Sequence, residues 1–169
     1  MRKEYISILF VGCLAVLGLI GLAGWTHAGG DQDEKAKAEI IAVVDKFNQA
    51  INAGDVPGSV SVYAQEAESF PLFDMKFASM DQRVAAAQKA VDSGVKVNTK
   101  RNNDMKIKII GNTAWAHWTW LSSSELPDGR KSQTAGRTTF ILEKREGEWK
   151  VVHSHISVPF SPGGPRREP

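Results

Sequence analysis

The stretch GRTTFILEKREGEWKVVHSHISVP, Gly136 to Pro159, reads as two β-strands joined by a tight turn. In each half the apolar residues recur at every second position, the period of a pleated strand. The link REGE carries turn chemistry, so the two strands form a hairpin. A three-residue loop with Gly147 in the left-handed position pairs Lys144 with Glu148. It sets Arg137 opposite His155, Thr139 opposite His153 and Phe140 opposite Val152. A two-residue loop shifts every pair by one and puts Arg137 on the other face from both histidines. Within the last strand, alternation assigns Trp149, Val151, His153, His155 and Ser157 to one face, and Val152, Ser154 and Ile156 to the other.

The same period extends backwards through SQTAGRTTFILEK, from Ser132, TAWAHWTWLSSS, from Thr113, and MKIKIIGN, from Met105. Gly-Asn and ELPDGRK supply the turns, so the four strands form an antiparallel meander. Val95 to Thr99 is a further candidate strand. Before Lys106 the period is helical. DQDEKAKAEIIAVVDKFNQAINAGD places Ile40, Val44, Phe47 and Ile51 on one face and stops at Gly54. DVPGSVSVYAQEA reads as a short second helix capped by Asp55 with Pro57 in its first turn. SMDQRVAAAQKAVDSG reads as a third, with capping-box spacing at Ser79 and Gln82 and a weak, alanine-rich apolar face. Helices first and a meander second is the α+β pattern, with helices packed on one sheet face. The strands carry apolar residues on both faces: Trp118 and Trp120 oppose Trp115 and Leu121, and Phe140 and Leu142 oppose Ile141. A second copy of the same sheet is the simplest cover for the outer face.

Of the 169 residues, 42% are hydrophobic and 24% charged, the composition of one globular domain with end segments. Arg2 and Lys3 precede an apolar run from Ile6 to Ala23, and small residues follow to Ala28. Residues 1–28 are thus a signal peptide or, uncleaved, a membrane anchor through residues 6–23. Both place the domain, residues 31–159, outside the cytoplasm, periplasmic or secreted, with the membrane touched only through that segment. Cys13 is the single cysteine and lies in the leader, so the domain carries no thiol chemistry. Residues 160–169, rich in proline and glycine, read as a disordered tail. The formal charge is +2, and the leader and the tail each contribute +1 of it. A near-neutral domain lacks the clustered basic face that nucleic acid requires.

The order of elements, closing on EGEWKVVHSHIS (Glu146 to Ser157), resembles the nuclear-transport-factor-2-like superfamily, in particular its SnoaL-like branch, over about Asp33 to Pro159. The last strand is similar to that of the association domain of calcium/calmodulin-dependent kinase II. The resemblance implies a cone-shaped α+β barrel, in which N-terminal helices pack in a strongly curved antiparallel sheet, with a pocket at the mouth and dimerisation through the outer sheet face. Ketosteroid isomerases of this fold carry an aspartate base directly before a proline. Here Phe70 precedes Pro71, with Glu66 and Glu68 nearby. Where the kinase association domain carries pocket arginines, the matching positions here are Trp120, Phe140 and Ile156, which implies an apolar and aromatic pocket.

The expected ligand pocket is therefore Tyr63, Trp118, Trp120, Thr138, Phe140, Ser154 and Ile156, flanked by Val152, Phe47 and Ile51. If Phe140 and Ile156 face inward, Arg137, His153 and His155 face outward as interface residues or an alternative polar site. No metal or cofactor is expected: two histidines are too few for a zinc site and His117 lies on another strand. Two functions stay open. One is an exported dimer that binds a small apolar or aromatic molecule or serves as an assembly module. The other is an isomerase, dehydratase or cyclase using a histidine or glutamate as general base.

Overall fold

Helix α1, residues 30–53, opens the part of the chain that the computed structural model describes, residues 30–70 and 78–159. The leader (1–28), the tail (160–169) and Pro71 lie outside the described residues. The chain divides into two compact units, Met1–Ala38 and Glu39–Pro169. In the first, the described residues are helical, and Lys37 pairs with Glu34 one turn away at 2.7 Å. The second unit holds the sheet.

In that unit α1 buries Ile40, Val44, Phe47 and Ala50, one residue per helical turn. Gly54, at φ 68°, ends the helix in a conformation that costs glycine little. Asp55 caps α2 (Val56–Val60), its Oδ1 accepting from the Gly58 amide at 2.9 Å. In α3 (Met80–Asp92) the Ser79 hydroxyl accepts from the Gln82 amide and the Gln82 carboxamide accepts from the Ser79 amide. As the alanine-rich sequence implies, α3 buries no residue completely.

The strands are β1 (Tyr63–Phe70), β2 (Lys96–Arg101), β3 (Lys106–Ile110), β4 (Thr113–Glu125), β5 (Lys131–Arg145) and β6 (Glu148–Ser157). They form one curled, unclosed sheet in the order β1-β6-β5-β4-β2, and β3 also pairs with β4. β4 is long enough to hold β3 along its first half and β2 along its second. The α+β architecture and the meander of β3 to β6 match the sequence pattern, and Val95 to Thr99 falls largely within β2.

Two expectations are corrected. Tyr63 to Ala67, read as the end of the second helix, belongs to β1, which runs parallel to β6. Alanine, glutamine and glutamate favour a helix locally, but tertiary pairing overrides propensity: Ala67 and Ser69 are buried against β6 while Glu66 and Glu68 face solvent. The sheet is therefore mixed, not wholly antiparallel.

The second correction concerns the β5–β6 register. The turn has two residues, Glu146 (φ 51°) and Gly147 (φ 87°), the positive pair that a tight hairpin demands, and it pairs Arg145 with Glu148. Leu142 then faces Val151 but Ile141 faces His153, so Val152 is an extra, bulged residue. Beyond the bulge Phe140 faces Ser154, Thr139 faces His155 and Arg137 faces Ser157. One bulged residue also reverses the alternation within β6. Trp149 and Val151 are buried at 4% and 0% exposure, on the same side as Ser154, and His155 is exposed. The single face drawn from Trp149 to Ser157 is split in two. The two-residue turn alone would have parted Arg137 from the histidines, and the bulge restores them to one face.

Candidate functional site

The inner sheet face is closed by aromatic packing. Phe140 is at its centre, with Trp118, Phe47 and Tyr63 set edge-on around it at centroid distances of 5.0, 5.4 and 5.7 Å. Trp120 lies over Gly136 on the neighbouring strand, and its Nε1 donates to Thr138 Oγ1 at 3.0 Å. Of the residues expected to line a pocket, Tyr63, Trp118, Trp120, Thr138, Phe140 and Ser154 are buried and Ile156 is half-buried. Trp118, Trp120, Thr138 and Phe140, with Val151 and Leu142, are packed core in this geometry; Ile156 is half-buried, and Tyr63 and Ser154 do something further.

Arg83, which the sequence reading did not single out, reaches from α3 onto this face. Its Nη1 donates to Ser154 Oγ at 2.8 Å and its Nη2 to the Tyr63 hydroxyl at 3.0 Å, and the guanidinium carbon sits 4.4 Å from the Tyr63 ring centroid. The placement follows from the chain path: the Ala78 amide bonds to the Ser69 carbonyl at 2.9 Å, which ties the start of α3 to the end of β1. Burial pushes the Tyr63 phenol above its ordinary pKa, partly offset by the Arg83 charge and by hydrogen bonds with Ser154 and Arg83. The phenol is thus a neutral donor and acceptor at physiological pH. Ser69, the ladder partner of Ser154, is fully buried and its Oγ has no hydrogen-bond partner among the described residues. One signal for Arg83 was legible: it falls on the face of α3 shared by Val84, Ala87 and Val91, a cation among the small apolar residues. Ser69 was hidden by the helical reading of its strand.

Between the end of α1, α2, α3 and the start of β2 lies a cavity of about 490 Å³. Its apolar walls are Ala50, Ile51 and Ala53 from α1, Val56 from α2, Ala87, Ala90 and Val91 from α3, and Val95 and Val97, and Asn52, Asp55, Ser59 and Lys96 add polar groups. Small side chains on α3 leave the volume open, and the lining is the mostly apolar kind that holds small molecules. Of the residues expected in the pocket, Ile51 lines it. One turn back along α1 is Phe47, which touches Tyr63. One turn back along α3 is Arg83, which also touches Tyr63. The Arg83–Tyr63–Ser154 cluster thus lies one helical turn beyond the cavity wall along both helices.

The seam between α1 and β2 is polar. Asn52 grips the β2 backbone twice, donating to the Thr99 carbonyl at 2.9 Å and accepting from its amide at 2.6 Å. Arg101 Nη2 reaches Asp45 at 3.2 Å. Asn48 Nδ2 and Arg101 Nε are buried without a partner.

Arg137, His153 and His155 share the outer face. Arg137 Nε donates to Ser157 Oγ at 3.1 Å, and Phe70 sets its ring 6.1 Å from His153 and 5.8 Å from His155. Trp115, Leu121 and Ile141 on the same face are 39%, 57% and 37% exposed. Glu66 is also solvent-facing and paired with Arg145. It lines a hydrophilic cleft of about 530 Å³ with Arg145, Glu148 and Lys150, where β1 bows away from β6 between Tyr63 and Glu68. Among the described residues no three His, Cys, Asp or Glu side chains are grouped to hold a metal ion.

Comparison with known proteins agrees with this architecture. A nuclear-transport-factor-2-like superfamily protein from Salmonella enterica serovar Typhimurium superposes with a TM-score of 0.68 at 20% identity, covering 80% of this chain and 99% of that one. A protein of the same superfamily and unknown function from Pseudomonas putida gives 0.66 at 21% identity, over 79% and 93% of the two chains. The association domain of the C. elegans calcium/calmodulin-dependent kinase II gives 0.63 at 19%, over 76% and 99%. At these identities the likeness is one of fold. No curated protein sequence matches significantly. The sequence model of the SnoaL-like domain matches residues 40–161, most of the described second unit, and the chain belongs to the SnoaL-like domain family.

Proposed function

We propose that this chain is an exported, self-associating SnoaL-like domain that binds a small apolar or aromatic molecule in the cavity between α1, α2, α3 and β2. The cavity itself carries the reading: about 490 Å³ walled mostly by alanine, valine and isoleucine, with Asn52, Asp55, Ser59 and Lys96 among them, is the size and character of a ligand site, and burying the apolar walls against a ligand stabilises by about 25 cal/mol per Å². Binding is favoured over isomerase-type catalysis because that chemistry needs a base facing the substrate. The glutamates and histidines considered for it lie elsewhere: Glu66 is exposed and paired with Arg145, and His155 and His117 are on the outer face, while the carboxylate in the cavity wall, Asp55, is engaged as the α2 cap by the Gly58 amide. The leader pattern supports export, and exposed Trp115, Leu121 and Ile141 on one sheet face support association with a second copy. The test uses the neutral fluorophore N-phenylnaphthylamine with the wild-type chain and with Ala87→Phe, which fills the cavity from α3. Saturable binding lost in the variant, with the fold intact by circular dichroism, supports the site. Binding as tight in Ala87→Phe as in wild type refutes it.

A further inference from the structure

Resting on that cavity, we infer that its ligand is an apolar monocarboxylate, whose tail lies along the alanine face of α3 and whose carboxylate is received by Arg83, Ser69 and Ser154. The guanidinium is half-buried and its described partners, Ser154 and Tyr63, are both neutral. A cation partly withdrawn from water, with no counter-ion among the described residues, is costly, and an anion brought beside it recovers that cost. Two of its five N–H groups are used by these partners, which leaves donors for a carboxylate in the forked geometry that arginine favours.

Ser69 supplies an independent sign. Its Oγ is wholly buried with no partner, next to Ser154 in the β1–β6 ladder. Buried hydroxyls are satisfied in nearly all folded proteins, so an orphan beside a cation that has no counter-ion among the described residues marks a place for an acceptor brought from outside. The Tyr63 and Ser154 hydroxyls share a hydrogen bond, so one of their two protons stays free to donate. The cluster thus carries donors in excess of the bonds made within it, the complement of an ionised acid. Its position adjoins the cavity: Arg83 precedes Ala87, the wall residue nearest to it along α3, by one helical turn, while the charged residues of the wall itself, Asp55 and Lys96, belong to its α2 and β2 sides. Here the cation comes from a helix, while the strand positions Trp120, Phe140 and Ile156 are apolar.

The experiment is calorimetric titration of the full chain at neutral pH with phenylacetate, 3-phenylpropionate and octanoate, each against its matched alcohol. The acids are expected to bind at least tenfold more tightly than the alcohols, with the preference lost in Arg83→Met. Because Arg83 also ties α3 to the sheet, Ser69→Ala is the second variant. It removes a hydroxyl that bonds nothing in the free protein, so it leaves the melting temperature unchanged or raised while weakening the acids about tenfold and the alcohols little. Acids and alcohols bound equally would overturn the carboxylate inference and leave the apolar cavity standing. Neither class bound would overturn both. A Ser69→Ala chain that melts lower and binds the acids unchanged would show the hydroxyl to be structural and overturn the inference.

Discussion

Gly136→Ala tests how the inner sheet face is built. A Cβ at this position would stand 2.1, 2.5 and 2.6 Å from three atoms of the Trp120 ring. Atoms cannot approach so closely, and the backbone of Gly136 is not in the left-handed region, so the cost comes from the ring contact alone. Overpacking of this kind costs about 1–3 kcal/mol. Moving the indole also breaks its 3.0 Å bond to Thr138, with both groups buried, for about 1–3 kcal/mol more. The expected loss is therefore roughly 2–6 kcal/mol, a large part of a typical stability of about 5–15 kcal/mol. Urea denaturation followed by far-ultraviolet dichroism reads it directly. In a Trp120→Leu background the ring is gone, and Gly136→Ala should then cost little, giving a coupling of at least about 1 kcal/mol. A loss under about 0.5 kcal/mol in the wild-type background, or the same loss in both backgrounds, would refute the packing described.

Further outcomes follow from single contacts. Replacing Asn52 by Ala removes both of its bonds to Thr99 and should cost about 1–2 kcal/mol by denaturation, releasing the end of α1 from β2. Asn48→Leu removes a buried amide donor that has no partner and should raise the melting temperature, whereas a fall of several degrees would mean the donor is satisfied. The Tyr63 phenol has a raised pKa in the fold, so its proton favours the folded state. That contribution is complete below the unfolded phenol's pKa of about 10 and is lost as pH rises through the folded value. Denaturation midpoints should accordingly fall above about pH 10, and Tyr63→Phe should flatten that fall. On the outer face, Ile141→Lys should shift sedimentation toward a monomer if that face joins two copies; an unchanged profile would exclude this face as the interface.

Period and capping were legible where local chemistry and tertiary demand agree. The four strands of the meander, α1 and the Ser79 capping box are of that kind. β1 was hidden because AQEA favours a helix in isolation, and only pairing with β6 extends it. The Val152 bulge was hidden because no residue type signals it. Its cause is global: Trp149 and Val151 must face the same core as Ser154 although an odd step separates them. The aromatic residues were recognised as inward-facing, but sequence gives no free volume, and Trp120 over Gly136 fills space that a pocket would need. The open volume lies instead where α3 offers alanines, a face that looked weak because it buries little. Arg83 carried a signal in its register with Ala87 and Val91; its partners on β1 and β6 are visible only in three dimensions.

The most direct measurement is native mass spectrometry of the protein purified from its own host. The predicted result is an oligomer retaining a small molecule that fragments as an apolar carboxylic acid and is absent from the Ala87→Phe variant. An oligomer at the mass of the bare polypeptide, or the same adduct retained by Ala87→Phe, would contradict ligand binding in the α1–α3 cavity.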